Sequence, residues 1–213
     1  WPFRNPEFAR VPWEQLYRTH LDLIADSEAM GFDDAWLTEH HFVDDGYSPS
    51  LLPIAGAVAA RTTRIRIGTF LVLLPLHNPV RLAEDTATVD LISNGRFELG
   101  VGLGYRPAEF DDQGIPAATR GARMTESAEI VQRLLSGESV TIDGKFTKLK
   151  NIQIVPPALL TQTSRSILCV KGCVMLLSER VVTPCHLQVS LGGEEGDGLE
   201  EVCGGAERGE VGR

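Results

Sequence analysis

Residues 65–74, Ile-Arg-Ile-Gly-Thr-Phe-Leu-Val-Leu-Leu, restrict the fold more than any other stretch. A strand with one face in water alternates apolar and polar residues. A nearly continuous apolar run suits a strand covered on both faces, and such strands belong to parallel sheets flanked by helices. The neighbouring segments supply the helices. Residues 13–30 place Trp13, Leu16, Tyr17, His20, Ile24 and Ser27 on one helical stripe, widened by Leu23, and Gly31 stops the helix. Ser48-Pro49-Ser50 opens a second helix to about residue 61. Asn78-Pro79 is a cap with proline at the first helical position, and Ser93-Asn94-Gly95 ends that third helix. A further helix is expected from about residue 120 to 135.

Strands are expected at residues 34–38, 65–74 and 96–101, with a fourth at 152–155. Residues 139–142 and 145–149 around Asp143-Gly144 read as a β-hairpin with a type I′ turn. Helix and strand therefore alternate with short loops, which implies crossover connections and a parallel α/β sheet. A (β/α)8 TIM barrel and an open doubly wound sheet both fit. A barrel takes about 250 residues, so the expectation is a partial TIM barrel, roughly its first half.

Composition divides the chain. Every Phe, Trp and Tyr lies at or before Phe146, whereas all four cysteines lie at or after Cys169. Aromatic side chains carry much of a core's buried area, so residues 1–158 are expected to form the folded domain and 159–213 a disordered or frameshifted tail. Cys169, Cys173, Cys185 and His186 lack the paired spacing of a zinc site, and no metal is assigned there. The acidic, glycine-rich residues 192–213 are expected to be disordered. The formal net charge of −9 argues against a nucleic-acid surface. No run of about 18 apolar residues predicts a membrane span, and no signal peptide is visible, which predicts a cytoplasmic protein. The chain begins at Trp1, so its native N-terminus is expected to be missing.

Glu39-His40-His41 directly follows the strand at 34–38. This is the C-terminal end of a parallel strand, where α/β enzymes keep their chemistry. An imidazole that titrates near neutrality can move a proton there. If the strand continued, His40 and His41 would face opposite ways. One would then face a site, and the other would pack or meet solvent. Adjacent ligands diverge and no third histidine is near in sequence, so metal is the weaker alternative. Glu39 either orients a histidine or is a solvated strand-end acid. His20 lies on a core stripe and reads as packing, and His77, just before the Asn-Pro cap, could line the mouth but reads by default as a loop histidine. Gly100-Val101-Gly102-Leu103-Gly104 lacks the Rossmann spacing. Its glycines let backbone approach a flat ring.

Glu39-His40-His41-Phe42, Ile67-Gly68-Thr69, residues 78–85 (Asn-Pro-Val-Arg-Leu-Ala-Glu-Asp) and residues 93–100 (Ser-Asn-Gly-Arg-Phe-Glu-Leu-Gly) occur in that order. Together they resemble bacterial luciferase-like flavin monooxygenases, over roughly residues 17–157. The resemblance implies a TIM barrel binding reduced FMN, or a 5-deazaflavin in sister enzymes. It implies a separate flavin reductase, O2 and a small organic substrate, and homo- or heterodimers are expected. It makes His40 the catalytic imidazole with Glu39 beside it, orienting a histidine or binding a polar part of the flavin, and His41 near the cofactor. Thr69, Phe70 and Leu71 would meet the flavin, often through a non-prolyl cis peptide, and Gly102 and Gly104 would complete the wall. Luciferase has a phosphate-binding arginine where Leu103 stands here, leaving Arg120 or Arg123 for that part. The family's first strand would precede Trp1, and the resemblance ends after Pro157. The alternative from a different class is a non-catalytic, truncated flavin-binding or unstable fragment.

Overall fold

The computed structural model describes residues 1–159 and two further strands, Ser166–Val170 and Cys173–Leu177. Five α-helices occur among the described residues: Trp13–Ala29 (α1), Leu51–Arg61 (α2), Pro79–Ser93 (α3), Pro107–Asp111 (α4) and Arg120–Leu135 (α5). The strands are Asp34–Leu37 (β1), Arg66–Thr69 (β2), Val72–Leu73 (β3), Phe97–Glu98 (β4), Gly100–Gly102 (β5), Val140–Asp143 (β6), Lys148–Ile152 (β7), Ser166–Val170 (β8) and Cys173–Leu177 (β9).

β1 pairs in parallel with β2, setting Asp34 opposite Arg66 and Leu37 opposite Thr69. β2 pairs in parallel with β4, β3 with β5, and β5 with β8. The parallel strands thus follow one another in chain order, without the reversal that marks a doubly wound sheet. Helix α2 packs on α3, and α3 on α5. Leu37, Leu51, Ile65, Ile67, Phe97, Ile130 and Leu134 are fully or almost fully buried between sheet and helices.

The run at 65–74 is two strands rather than one. It breaks at a cis peptide between Phe70 and Leu71, as the family resemblance implied. Val72, Leu73 and Leu74 stay buried while the Phe70 side chain emerges at 47% exposure. The strand expected at 96–101 breaks likewise, at Leu99. Two motif glycines mark close approaches. A Cβ on Gly68 would stand 2.2 Å from the Trp36 ring, and one on Gly100 would stand 2.0 Å from the Thr69 carbonyl oxygen.

Local chemistry sets the ends of α3. The Asn78 side chain accepts from the Val80 and Arg81 amides at 3.0 and 3.1 Å, and Asn94 leaves the helix in the left-handed region at φ 56°. Arg96 then reaches back. Its guanidinium donates to the carbonyls of Ser93, Ile65, Ala59 and Thr62 and to the Thr62 hydroxyl, at 2.7–3.0 Å. It closes the C-terminal ends of α2 and α3 together over the start of β2.

Several expectations need correction. The turn at Asp143-Gly144 is not type I′, because neither residue has the positive φ that type requires. The loop is instead the four residues 144–147, with Asp143 paired to Lys148. Glu126 on α5 accepts from the amides of Lys145 and Phe146 at 2.8 and 3.0 Å and so fixes that wider loop. Residues 153–155 are not strand, and a cis Val155–Pro156 bond follows. The short helix α4 had no periodic signal. Within the stretch read as a tail, β8 extends the parallel sheet with Ile167 opposite Gly100, and β9 pairs antiparallel with β8. The side chains of Cys169 and Cys173, and all of Cys185, His186 and residues 192–213, lie outside the described residues. The irregular N-terminal segment buries Phe3, which stacks on His20 at 4.8 Å, in keeping with a packing role for His20. No helix among the described residues is long and apolar enough to cross a membrane.

Candidate active site

The C-terminal ends of β1, β3 and β5 and the break between β2 and β3 surround a cavity of about 570 Å³. That is the size of a small-molecule or cofactor pocket. Phe70, Leu71, Leu73 and Leu103 give it an apolar wall. Glu39, His40, Tyr47, Tyr105 and Arg120 bring polar groups to it, and Thr38 and Gly104 complete the lining. Backbone geometry explains the mixture. Strands β1, β3 and β5 end here in loops, and a loop tolerates the polar side chains that a buried strand excludes.

Two buried carboxylates organise the histidines. Glu39 is 4% exposed. Its Oε1 lies 2.7 Å from His41 Nε2 and 3.0 Å from His77 Nε2, while Oε2 accepts the Leu73 amide at 3.0 Å. Burial pushes this carboxyl up, but the bonds from His41, His77 and Leu73 outweigh it and hold the group down, to about 2. Glu109, on α4, is fully buried. Its Oε1 lies 2.9 Å from His40 Nδ1, accepts the His41 amide at 3.0 Å and lies 3.3 Å from Arg106 Nη1. Arg106 also donates to the His41 carbonyl at 3.3 Å. The adjacent imidazoles therefore diverge, as alternation suggested, each toward its own carboxylate. Strand β1 has already ended at Leu37, so the divergence comes from the loop. The His40 ring is also edged by Tyr47 at 4.5 Å and by Tyr105 at 5.9 Å between centroids.

The cavity gathers Glu39, His40, Phe70, Leu71, Gly104 and Arg120 of the residues expected at a site. His41 stands behind it, bonded to Glu39. Thr69 is elsewhere, because its hydroxyl is used in both directions by Gly100: it donates to the carbonyl and accepts from the amide, each at 2.8 Å. Gly102 is not on the lining either. A Cβ there would meet the Leu71 side chain at 2.3 Å, so this glycine lets Leu71 seat. Between the two candidate arginines, Arg120 reaches the cavity, whereas Arg123 lies over the Phe146 ring at 4.4 Å. Sequence reading missed Glu109, Arg106, Tyr47 and Tyr105, and took His77 by default as a loop residue, with a place at the mouth as its alternative. Only the Glu39–His77 pairing had a signal: a histidine immediately before a helix cap, at the end of a buried strand.

The residues fit a flavin-like group. Such a group has a flat apolar face, a hydrogen-bonding edge and an anionic phosphate. The apolar wall matches the face, and Arg120 matches the phosphate. Thr38 Oγ1 is buried on the lining without a hydrogen bond among the described residues, which leaves one group for the edge. No group of three or more His, Cys, Asp or Glu among the described residues is arranged to hold a metal ion.

Comparison with known proteins places this geometry. The chain is 36% identical over 127 residues to 4-hydroxyprotoasukamycin monooxygenase of Streptomyces nodosus subsp. asukaensis, covering 60% of this chain and 34% of that protein. The monooxygenase RslO1 of Streptomyces bottropensis superposes with a TM-score of 0.73 at 31% identity, over 78% of this chain and 51% of that one. Two structures below 25% identity share the fold. One is the oxygenating constituent of 3,6-diketocamphane monooxygenase from Pseudomonas putida in complex with FMN (TM-score 0.65, 23% identity, 73% and 42% covered). The other is an F420-dependent secondary alcohol dehydrogenase (TM-score 0.60, 22% identity, 67% and 46% covered). The chain spans about two-fifths of the length of the first curated relatives it matches. The luciferase-like monooxygenase model matches residues 5–167, most of the chain, and the protein belongs to that family.

Proposed function

We propose that this chain carries the cofactor-binding half of a flavin-dependent monooxygenase that uses reduced FMN and O2 on a small organic substrate. The parallel strands in chain order are read as the opening strands of a (β/α)8 barrel, and the site as its C-terminal mouth. The observation that carries the reading is the cavity itself, which sets His40 beside an apolar wall, a spare buried hydroxyl and a cationic rim.

Phe70, Leu71, Leu73 and Leu103 would hold the ring, Thr38 its polar edge and Arg120 its phosphate. Reduced FMN would supply the electrons that activate oxygen, and a separate reductase would deliver it. His40 is the group that moves a proton at the cavity wall. Glu39 stays ionised at neutral pH and fixes the rings of His41 and His77 behind it. Tyr47 and Tyr105 edge the His40 ring and help fix its orientation.

A 5-deazaflavin cofactor is the second reading, supported by the shared fold of the F420-dependent alcohol dehydrogenase. Anaerobic titration of the protein with reduced FMN and with reduced deazaflavin separates the two. Saturable binding of FMN, weakened by Arg120→Ala, is expected. Binding of the deazaflavin alone would overturn the first reading.

A further inference from the structure

We infer that Glu109 is a positioning residue that fixes the ring proton of His40 on Nδ1 and so makes Nε2 the nitrogen offered to the cavity. The functional consequence rests on His40 being the proton-handling group proposed above, but the tautomer assignment does not.

Donors and acceptors at a single oxygen decide the tautomer. Glu109 Oε1 receives the His41 amide at 3.0 Å and Arg106 Nη1 at 3.3 Å. Both groups carry hydrogens and can only donate, so Oε1 is an acceptor. His40 Nδ1 lies 2.9 Å from the same oxygen. With Glu109 as the carboxylate, Nδ1 brings the third hydrogen, because an unprotonated Nδ1 would set a lone pair against that oxygen. His40 Nε2 makes no hydrogen bond among the described residues, on a ring that lines the cavity. A neutral His40 thus presents a lone pair there.

The neighbouring histidine has the opposite form. His41 Nε2 and His77 Nε2 share Glu39 Oε1 at 2.7 and 3.0 Å, and Glu39 is held ionised. Both rings therefore carry their proton on Nε2. Two adjacent imidazoles in opposite tautomers, each dictated by its own buried carboxylate, divide the labour. His41 is committed to structure, and His40 keeps one nitrogen for chemistry. When Nε2 takes a proton from a bound hydroxyl or water, the O–H bond breaks and the N–H bond forms. The resulting imidazolium keeps Nδ1–H on Glu109, whose charge then opposes its own.

The test is two-bond 1H–15N correlation spectroscopy on histidine-labelled protein without cofactor, at a pH where the imidazoles are neutral. The His40 signals are assigned by their loss in His40→Gln. A pyrrole-type Nδ1 and a pyridine-type Nε2 are expected for His40, and the reverse for His41 and His77. Glu109→Gln should keep the His40 pattern, because the His41 amide and Arg106 require an oxygen at the Oε1 position. Glu109→Ala should lose it, moving the two nitrogen shifts toward each other. A wild-type His40 protonated on Nε2 would overturn the inference, as would an unchanged pattern in Glu109→Ala. If Glu109→Ala does not fold, the wild-type and Glu109→Gln spectra still decide. No cofactor enters the measurement, so failure of the flavin reading leaves its outcome intact, and failure here leaves flavin binding untouched.

Discussion

Glu39 shows how one side chain can serve stability and site together. Its carboxyl is held near 2, below the ordinary value of 4.5, by two imidazoles and the Leu73 amide. A carboxylate depressed in the folded state stabilises the fold fully above its unfolded pKa, and loses that contribution as pH falls through the folded value. The shift corresponds to about 3 kcal/mol at neutral pH. Glu39→Gln should therefore lower urea-unfolding stability by that order at pH 7 and by much less at about pH 2–3, which paired denaturation curves would check. At His40 the prediction concerns rate. His40→Ala should reduce turnover by about 10²- to 10⁴-fold while leaving reduced-cofactor affinity within a few-fold, since proton transfer is lost and the apolar wall is not. Equal losses in affinity and turnover would place His40 in binding instead. The sequence showed the Glu-His-His triplet because its residues are contiguous. It hid Glu109, whose partner His40 lies 69 positions away and whose helix is only five residues long.

At the scale of elements, the motifs shared with the family turn out to be joints. Arg96 gathers carbonyls from α2, α3 and the approach to β2. Lysine has one ammonium where arginine has a planar fork. Arg96→Lys should cost about 2–3 kcal/mol, read as a shift in denaturation midpoint, because buried carbonyls lose charged donors. Asn78→Ala should cost about 1 kcal/mol through loss of the cap on α3. Gly100→Ala should be worse than either, since the new methyl would collide with the Thr69 backbone, which cannot swing aside as a side chain can. These ends were legible because caps and stops depend on neighbours in sequence. The hairpin turn was not, because a carboxylate on α5 holds it from 19 and 20 residues away. Nor was the break at Phe70–Leu71 visible to periodicity, since both halves of the run remain apolar. Only the family resemblance pointed to it.

For the described residues as a whole, parallel pairing in chain order brings the C-terminal ends of β1, β3 and β5 to one cavity. That much follows from alternating helices and strands. What alternation could not give is which loop residues converge, and here Arg120 separates from Arg123, and Phe70 and Leu71 from Thr69. On the proposed function this convergence is the cofactor site. Hydrogen–deuterium exchange with and without saturating reduced FMN, under anaerobic conditions, tests it most directly. New protection is expected in residues 37–41, 70–73 and 103–109, with α1 and the hairpin of β6 and β7 unchanged. Saturated binding that leaves those three segments unprotected, or that protects a different face, would contradict it.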